Sequence, residues 1–242
     1  MLNILRSRTF ILIIVFLSIT LSFYPFERTS FSQSKTAPED QGKVVLALPE
    51  PLQTGLHSLE ETLARRRTVR SFASRPLTAA QASQLLWAAQ GVTSPEGYRT
   101  APSGGGLYPL EIRMVAGNIE GIATGTWHYQ PASHQLSLEH PADIREALID
   151  AAYRQTWMGQ GAAIFVISGV SARSSAKYGT RGVRFTYMEA GHAAQNLLLQ
   201  AIGLGLEAGT VGGFDDAKVR AALHLPAEEE PLYLLVVGSP AP

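Results

Sequence analysis

Between Gly182 and Ile202 the chain runs for twenty-one residues in which only Arg184, Glu189 and His192 can carry charge. A helix of that length with so little polar surface has no broad face to offer water. It therefore has to lie centrally, mostly buried, with the rest of the domain packed around it. The segments on either side supply the material. Ser58 with Glu61 reads as a capping box, and Leu59 and Leu63 begin a helical apolar face, so the folded domain is expected to start at residue 58. Thr78 caps a helix running to Gln90, with Gly91 as its stop.

Shorter pieces follow. Glu111–Ala116 reads as a strand, Gly125–Tyr129 and Gln135–Glu139 as a hairpin around Pro131, and Ala162–Ser168 as a buried strand. Ala142–Tyr153 has helical amphipathic spacing, Lys218–Leu223 is a short helix, and Leu232–Val237 is a last apolar strand. Helices and strands mixed in this way predict an α+β domain over residues 58–242, a mixed sheet flanked by helices.

The beginning of the chain differs in kind. Arg6 and Arg8 precede an uncharged, apolar run from Thr9 to Phe26, the pattern of a secretory signal peptide. The run also reaches the lower limit for a spanning helix, about 17 residues, so a retained membrane anchor is the other reading of residues 1–32. In either case the basic end stays inside and the domain is expected to be exported, touching the membrane only through this segment. Residues 33–57, rich in Ser, Gln, Thr and Pro, read as a flexible linker.

Charge and cysteine usage exclude several functions. With 20 basic and 20 acidic residues the formal net charge is zero, which argues against a nucleic-acid partner. The chain has no cysteine, so disulfides, thiolate metal sites and thiol nucleophiles are excluded. No Gly-x-Ser-x-Gly elbow occurs, which sets aside a serine hydrolase of that type. Glu189 and His192 have the Glu-x-x-His spacing of di-iron bundles, but that site needs a second copy and further glutamates. No metal is expected there, and His192 reads instead as a core histidine hydrogen-bonded near Glu189.

Three segments carry candidate chemistry. Arg65 to Ser71 packs four arginines and two hydroxyls into seven residues, a composition suited to clamping phosphate through forked hydrogen bonds. The bland reading is a helix end whose arginines point into water. Ala101 to Glu111 contains Gly104, Gly105 and Gly106, whose bare backbone lets a flat ligand come close, although a plain turn is the commoner use. The third is Glu189 to Asn196, followed by Gly212-Gly213, another place for backbone amides to meet a ring.

Together these segments resemble the FMN-binding nitroreductase superfamily, and in particular its SagB-type dehydrogenase branch. The resemblance rests on Arg66 to Phe72, on Arg99 to Glu111, and on Lys177-Tyr178-Gly179 through Arg181, Gly182 and Arg184 to Glu189-Ala190-Gly191-His192 and Gln195-Asn196-Leu197, in order across residues 58–238. It implies an intertwined homodimer with two FMN molecules at the interface and a hydride passed between flavin and a small-molecule or peptide substrate. By position, Arg66, Arg67, Thr68 and Arg70 would hold the phosphate and ribityl end. Pro102, Ser103 and Gly104 would come from the partner chain and lie against the ring, and the amides of Gly212 and Gly213 would face its hydride-accepting nitrogen. No catalytic side chain is implied, since the flavin performs the chemistry. One departure stands out: the branch has a Gly-Arg-Pro-like ending, and here Ser239 replaces the arginine, leaving that contact to Arg65 or unmade. A membrane-tethered flavin-binding module without turnover is the alternative.

Overall fold

The strand expected over Ala162–Ser168 forms between Ala163 and Gly169 and is buried along its whole length. Such a strand needs cover on both faces, and that requirement sets the architecture. The computed structural model describes residues 44–242; the expected targeting segment and the first part of the linker lie outside the described residues.

In chain order the elements begin with β1 (Val45–Ala47), α1 (Leu59–Arg65), β2 (Phe72–Ala73), β3 (Leu77–Thr78) and α2 (Ala79–Gln90). Next come β4 (Leu110–Ala116), β5 (Ile119–Glu120), β6 (Gly125–Gln130), β7 (Gln135–His140) and α3 (Arg145–Ala151). The last are β8 (Ala163–Gly169), α4 (Ser171–Tyr178), α5 (Arg181–Gly203), β9 (Glu207–Val211), α6 (Asp216–Leu223) and β10 (Glu230–Pro240). The main sheet has the order β1-β7-β6-β4-β8-β10-β2, with β9 also on β10. All its pairings are antiparallel; among the described residues the only parallel pair is the separate β3–β5 ribbon.

Alternation along β8 and β10 builds two cores. Ala163, Phe165, Ile167, Leu235 and Val237 face α2 and α5, meeting Leu85, Leu86, Ala193, Leu197 and Ala201. Ile164, Val166, Leu234 and Val236 face α3 and α6, meeting Leu148, Ile149, Val219 and Leu223. Each large side chain so buried stabilises the fold by about 1.5–3 kcal/mol. The α2 helix starts as expected, with Thr78 Oγ1 accepting from Gln81 N at 3.1 Å and Gln81 Oε1 accepting from Thr78 N at 2.9 Å.

Three sequence expectations are corrected. Only half of the box at α1 forms: Ser58 Oγ accepts from Glu61 N, while the Glu61 carboxylate turns to His57 and Arg65. The domain also begins before residue 58. β1 adds to the edge of β7, Ser83 Oγ donates to Pro49 O at 2.5 Å, and Gln84 bonds both the N–H (2.8 Å) and the C=O (3.1 Å) of Leu52. Residues 44–52 are thus fastened to the domain, because buried Ser83 and Gln84 find backbone partners there. The long helix is central but one-sided: Ala190, Ala193, Leu197 and Ala201 face the core, while Val183, Tyr187 and Met188 are exposed.

At one end of the α3/α6 face the apolar pattern gives way to charge. Arg113 on β4, 5% exposed, donates Nε to Glu139 Oε2 at 2.7 Å and also pairs with Glu229, which Ser168 supports. Burial works against the guanidinium charge, but Glu139 and Glu229 outweigh it and hold Arg113 protonated above its ordinary range. Replacing Arg113 with Met leaves Glu229 buried without a cation, and it is expected to cost about 3–5 kcal/mol in urea unfolding. A loss under about 1 kcal/mol, the ceiling for an exposed pair, would mean that the network does not hold the strands together.

Candidate functional site

The arginine-rich segment leaves α1 in extended form and is pinned to the sheet. Val69 N donates to Ala208 O at 2.9 Å, and Phe72 N donates to Gln160 Oε1 at 3.3 Å. Gly209 permits this approach, since a Cβ there would sit 2.4 Å from Val69 O and 2.7 Å from the Trp157 ring. The face of Trp157 carries the Arg70 guanidinium, 5.7 Å from the ring centroid.

The arginines of this segment divide into two groups. Arg67 turns back, its Nη1 donating to Ala64 O at 2.9 Å and Arg66 O at 2.8 Å, and so caps the end of α1. Arg65 is paired with Glu61 at 3.0 Å. Among the described residues no carboxylate pairs with Arg66 or Arg70, and Thr68 beside them is exposed. Unpaired guanidiniums and a hydroxyl held on fixed backbone make an anion cradle.

From Ala208 the strand β9 leads to Gly212 and Gly213, both exposed. A Cβ on Gly213 would meet nothing within 4 Å, and one on Gly212 would meet only Tyr233, at 3.6 Å. The backbone there lies open to a ligand. Gly212 lies four residue steps along the chain from Ala208, about 13 Å at the rise of a strand. One extended ligand with an anionic end on Arg66, Thr68 and Arg70 and a flat end on Gly212-Gly213 fits this layout.

Pro102, Ser103 and Gly104 sit elsewhere, against α4 and α5, and no hydrogen bond joins them to the arginine segment or to Gly212-Gly213 among the described residues. Gly104 N donates to Glu189 Oε1 at 2.9 Å, and Asn196 Nδ2 donates to Thr100 O at 3.2 Å. Gly105 has φ +68°, and a side chain on it would run into Tyr178 Oη at 2.6 Å and Lys177 Nζ at 2.9 Å. Glu189, 4% exposed, thus serves the loop. His192 lies outside the core, exposed on α5, and has no bond to Glu189, which corrects its reading as a buried partner.

Sequence reasoning gave no role to Lys177, Tyr178, Trp157 or Arg173. The first two and Arg173 belong to α4, whose eight residues are too polar to show an apolar period. Lys177-Tyr178-Gly179 is legible only as part of the resemblance, and Gly179, at φ +57°, ends the helix. Ser239, 5% exposed, is turned inward: its Oγ donates to Arg75 O at 3.4 Å beside the β10–β2 pairing.

The loop ends at Glu111, whose carboxylate meets His128 Nε2 at 2.9 Å and Arg173 Nη2. Burial raises the Glu111 pKa, but the bonds from His128 and Arg173 and their charges outweigh it and bring it down to about 2.

A comparison with known families places these features together. The nitroreductase family model matches residues 63–239, spanning the arginine segment, the glycine loop, α5, β9 and β10. The chain belongs to the nitroreductase family. A protein of Methanocaldococcus jannaschii named as a nitroreductase is 38% identical over 180 residues, 74% of this chain and 90% of its own length. Among solved structures, a nitroreductase from Ralstonia eutropha superposes with TM-score 0.73 at 30% identity, covering 82% of this chain and 90% of its own. A chain of the Escherichia coli microcin synthetase McbBCD complex, solved with truncated pro-MccB17 bound, superposes with TM-score 0.66 at 25% identity, covering 84% and 80%. As a nitroreductase-family protein, the chain has an oxidoreductase fold in which the cradle along β9 and the loop on α5 are the candidate active-site parts.

Glu111 gives the site a defined acid limit. Its folded pKa lies below the ordinary 4.5, so its ionisation stabilises the fold fully above pH 4.5 and less as pH falls toward 2. Urea midpoints measured at about pH 6 and about pH 3 are expected to converge partly in Glu111→Gln. An unchanged pH difference in the variant would show that the carboxylate contributes nothing across that window.

Proposed function

We propose that this chain is an FMN-dependent oxidoreductase that passes hydride between bound flavin and a small-molecule or peptide substrate. The observation that carries the reading is the alignment along β9, with unpaired Arg66 and Arg70 at one end and open backbone at Gly212-Gly213 at the other. That spacing suits the length of a flavin mononucleotide. Bound FMN would supply the hydride chemistry; the chain's own residues bind, orient and exclude water. Arg66, Thr68 and Arg70 hold the phosphate, and the amides of Gly212 and Gly213 favour negative charge on the ring nitrogen.

The glycine loop completes the site in a homodimer, where Pro102, Ser103 and Gly104 of each chain cover the flavin of the other. Support comes from α5, whose outer face exposes Val183, Tyr187 and Met188, apolar bulk that a partner chain would cover. Within this scheme dehydrogenation of a peptide heterocycle is the finer reading, because a chain of the McbBCD complex shares the fold. A proton would then leave the substrate as the hydride passes to the flavin, and the Tyr178 hydroxyl at the loop, its ring 5.5 Å from Lys177 Nζ, would be placed to take it. Nitro- or quinone-type reduction is the family's broader alternative. If the domain is exported, as its first 32 residues suggest, NADPH is not the ready donor.

The absorption spectrum of the purified chain after FMN addition and removal of excess tests the reading, with flavin bands near one per chain expected. Replacing both Arg66 and Arg70 with Ala is expected to weaken FMN binding by about 100-fold, since each substitution removes one charge-assisted hydrogen bond to the phosphate. A chain that stays colourless would overturn the proposal; flavin that binds but responds to no reductant or substrate would favour a binding module. Met188→Asp is expected to shift the protein to monomer in sedimentation, and an unchanged dimer would remove α5 from the interface.

A further inference from the structure

We propose that Arg173 is a positioning residue that locks the glycine-rich loop into a strained, closed shape through Tyr108. Gly105 and Gly106 take left-handed backbone, and beyond the right-handed Leu107 so does Tyr108, which is no glycine, at φ +44°. A non-glycine residue stays there only where its surroundings over-determine it. Tyr108 is gripped at three points. Its N–H donates to Ser103 Oγ at 2.9 Å, and its ring lies 4.3 Å under the Arg99 guanidinium with its Oη accepting Arg99 N at 3.2 Å. Its carbonyl accepts Arg173 Nη1 at 3.2 Å.

The Ser103 grip lies inside the loop and moves with it, whereas the Arg99 grip reaches the body of the protein, Arg99 Nη1 donating to Gln90 Oε1 of α2 at 2.9 Å. Arg173 adds a second anchor, because it stands on α4 and its second nitrogen is held on Glu111, which His128 holds from β6. One helical turn later the same helix presents Lys177 and Tyr178 to Gly105. The Arg173 side chain is 44% exposed, so its removal opens no cavity in the core. The forked guanidinium is required because it bonds a carbonyl and a carboxylate at once, which a lysine ammonium does with less definition.

The lock is read in the full chain without flavin, by amide hydrogen exchange at Gly106 and Tyr108, whose N–H groups donate to Ser103 O and Ser103 Oγ. Arg173→Ala is expected to exchange about tenfold faster at these amides, the effect of one charge-assisted hydrogen bond, with β8 unchanged. Arg173→Lys is expected to fall between. Equal rates in the loop, or acceleration spread equally over β8, would overturn the lock. Its bearing on the cofactor rests on the flavin reading above. Arg173→Ala is then expected to bind FMN about tenfold more weakly, and a faster loop with unchanged affinity would overturn that link. Should the parent chain bind no FMN, the flavin reading fails, and the exchange rates still decide the lock.

Discussion

Packing of α5 against the sheet is the constraint on which the other parts depend. Its inner face, Ala190, Ala193, Leu197 and Ala201, is built of residues small or slim enough for the helix to lie close on β8 and β10. That placement puts Glu189 in the core, where an unbonded carboxylate would be costly. The Gly104 N–H satisfies it, and Asn196, two turns on, does the same for Thr100 O. The loop follows from the helix: its shape answers buried polar groups that the helix brings with it.

The charges of the molecule are sorted by the same rule. Arg113 is buried and meets two carboxylates, and Glu111 is mostly buried and meets Arg173 and His128. Arg70 has no carboxylate and stays at the surface, over the face of Trp157. Burying a lone guanidinium would cost several kcal/mol, far more than the about 0.5–1 kcal/mol a surface cation–π contact returns. An unpaired cation fixed at the surface is therefore available to an anion, whereas a paired one is part of the framework. Arg66 and Arg70 are thus left open to an anion, while Arg65 is paired with Glu61 and Arg67 is turned onto the carbonyls that end α1.

Much of the fold could be read in the chain. The long helix, the buried strand and the Thr78 cap carry strong local signals, because burial on two faces and capping leave direct marks on residue type. The site was legible as three segments but not as an arrangement. Arg67 and Arg66 look alike in sequence, and only the direction of the α1 exit separates them. The Tyr108 strain and the role of Arg173 lie in contacts across 65 positions, which no local pattern carries. β1 escaped because a three-residue edge strand among prolines resembles a linker.

Two of the three site segments come from rigid parts, β9 and the strand-bound exit of α1, while the third is a loop held by a short helix. The difference suits a cofactor enzyme. On the proposed function a flavin would do its own bond-making, so the protein would need a fixed cradle for the phosphate and fixed amides at the ring, and the segments proposed for both are tied to β9. On the same proposal the cover over the ring would have to admit and release substrate. A loop of glycines, strained at Tyr108 and held by side-chain bonds rather than by a sheet, is the part best able to change shape without disturbing the cores. Its tie through Arg173 is electrostatic and at the surface, so that tie can yield while the apolar packing of β8 and β10 stays intact.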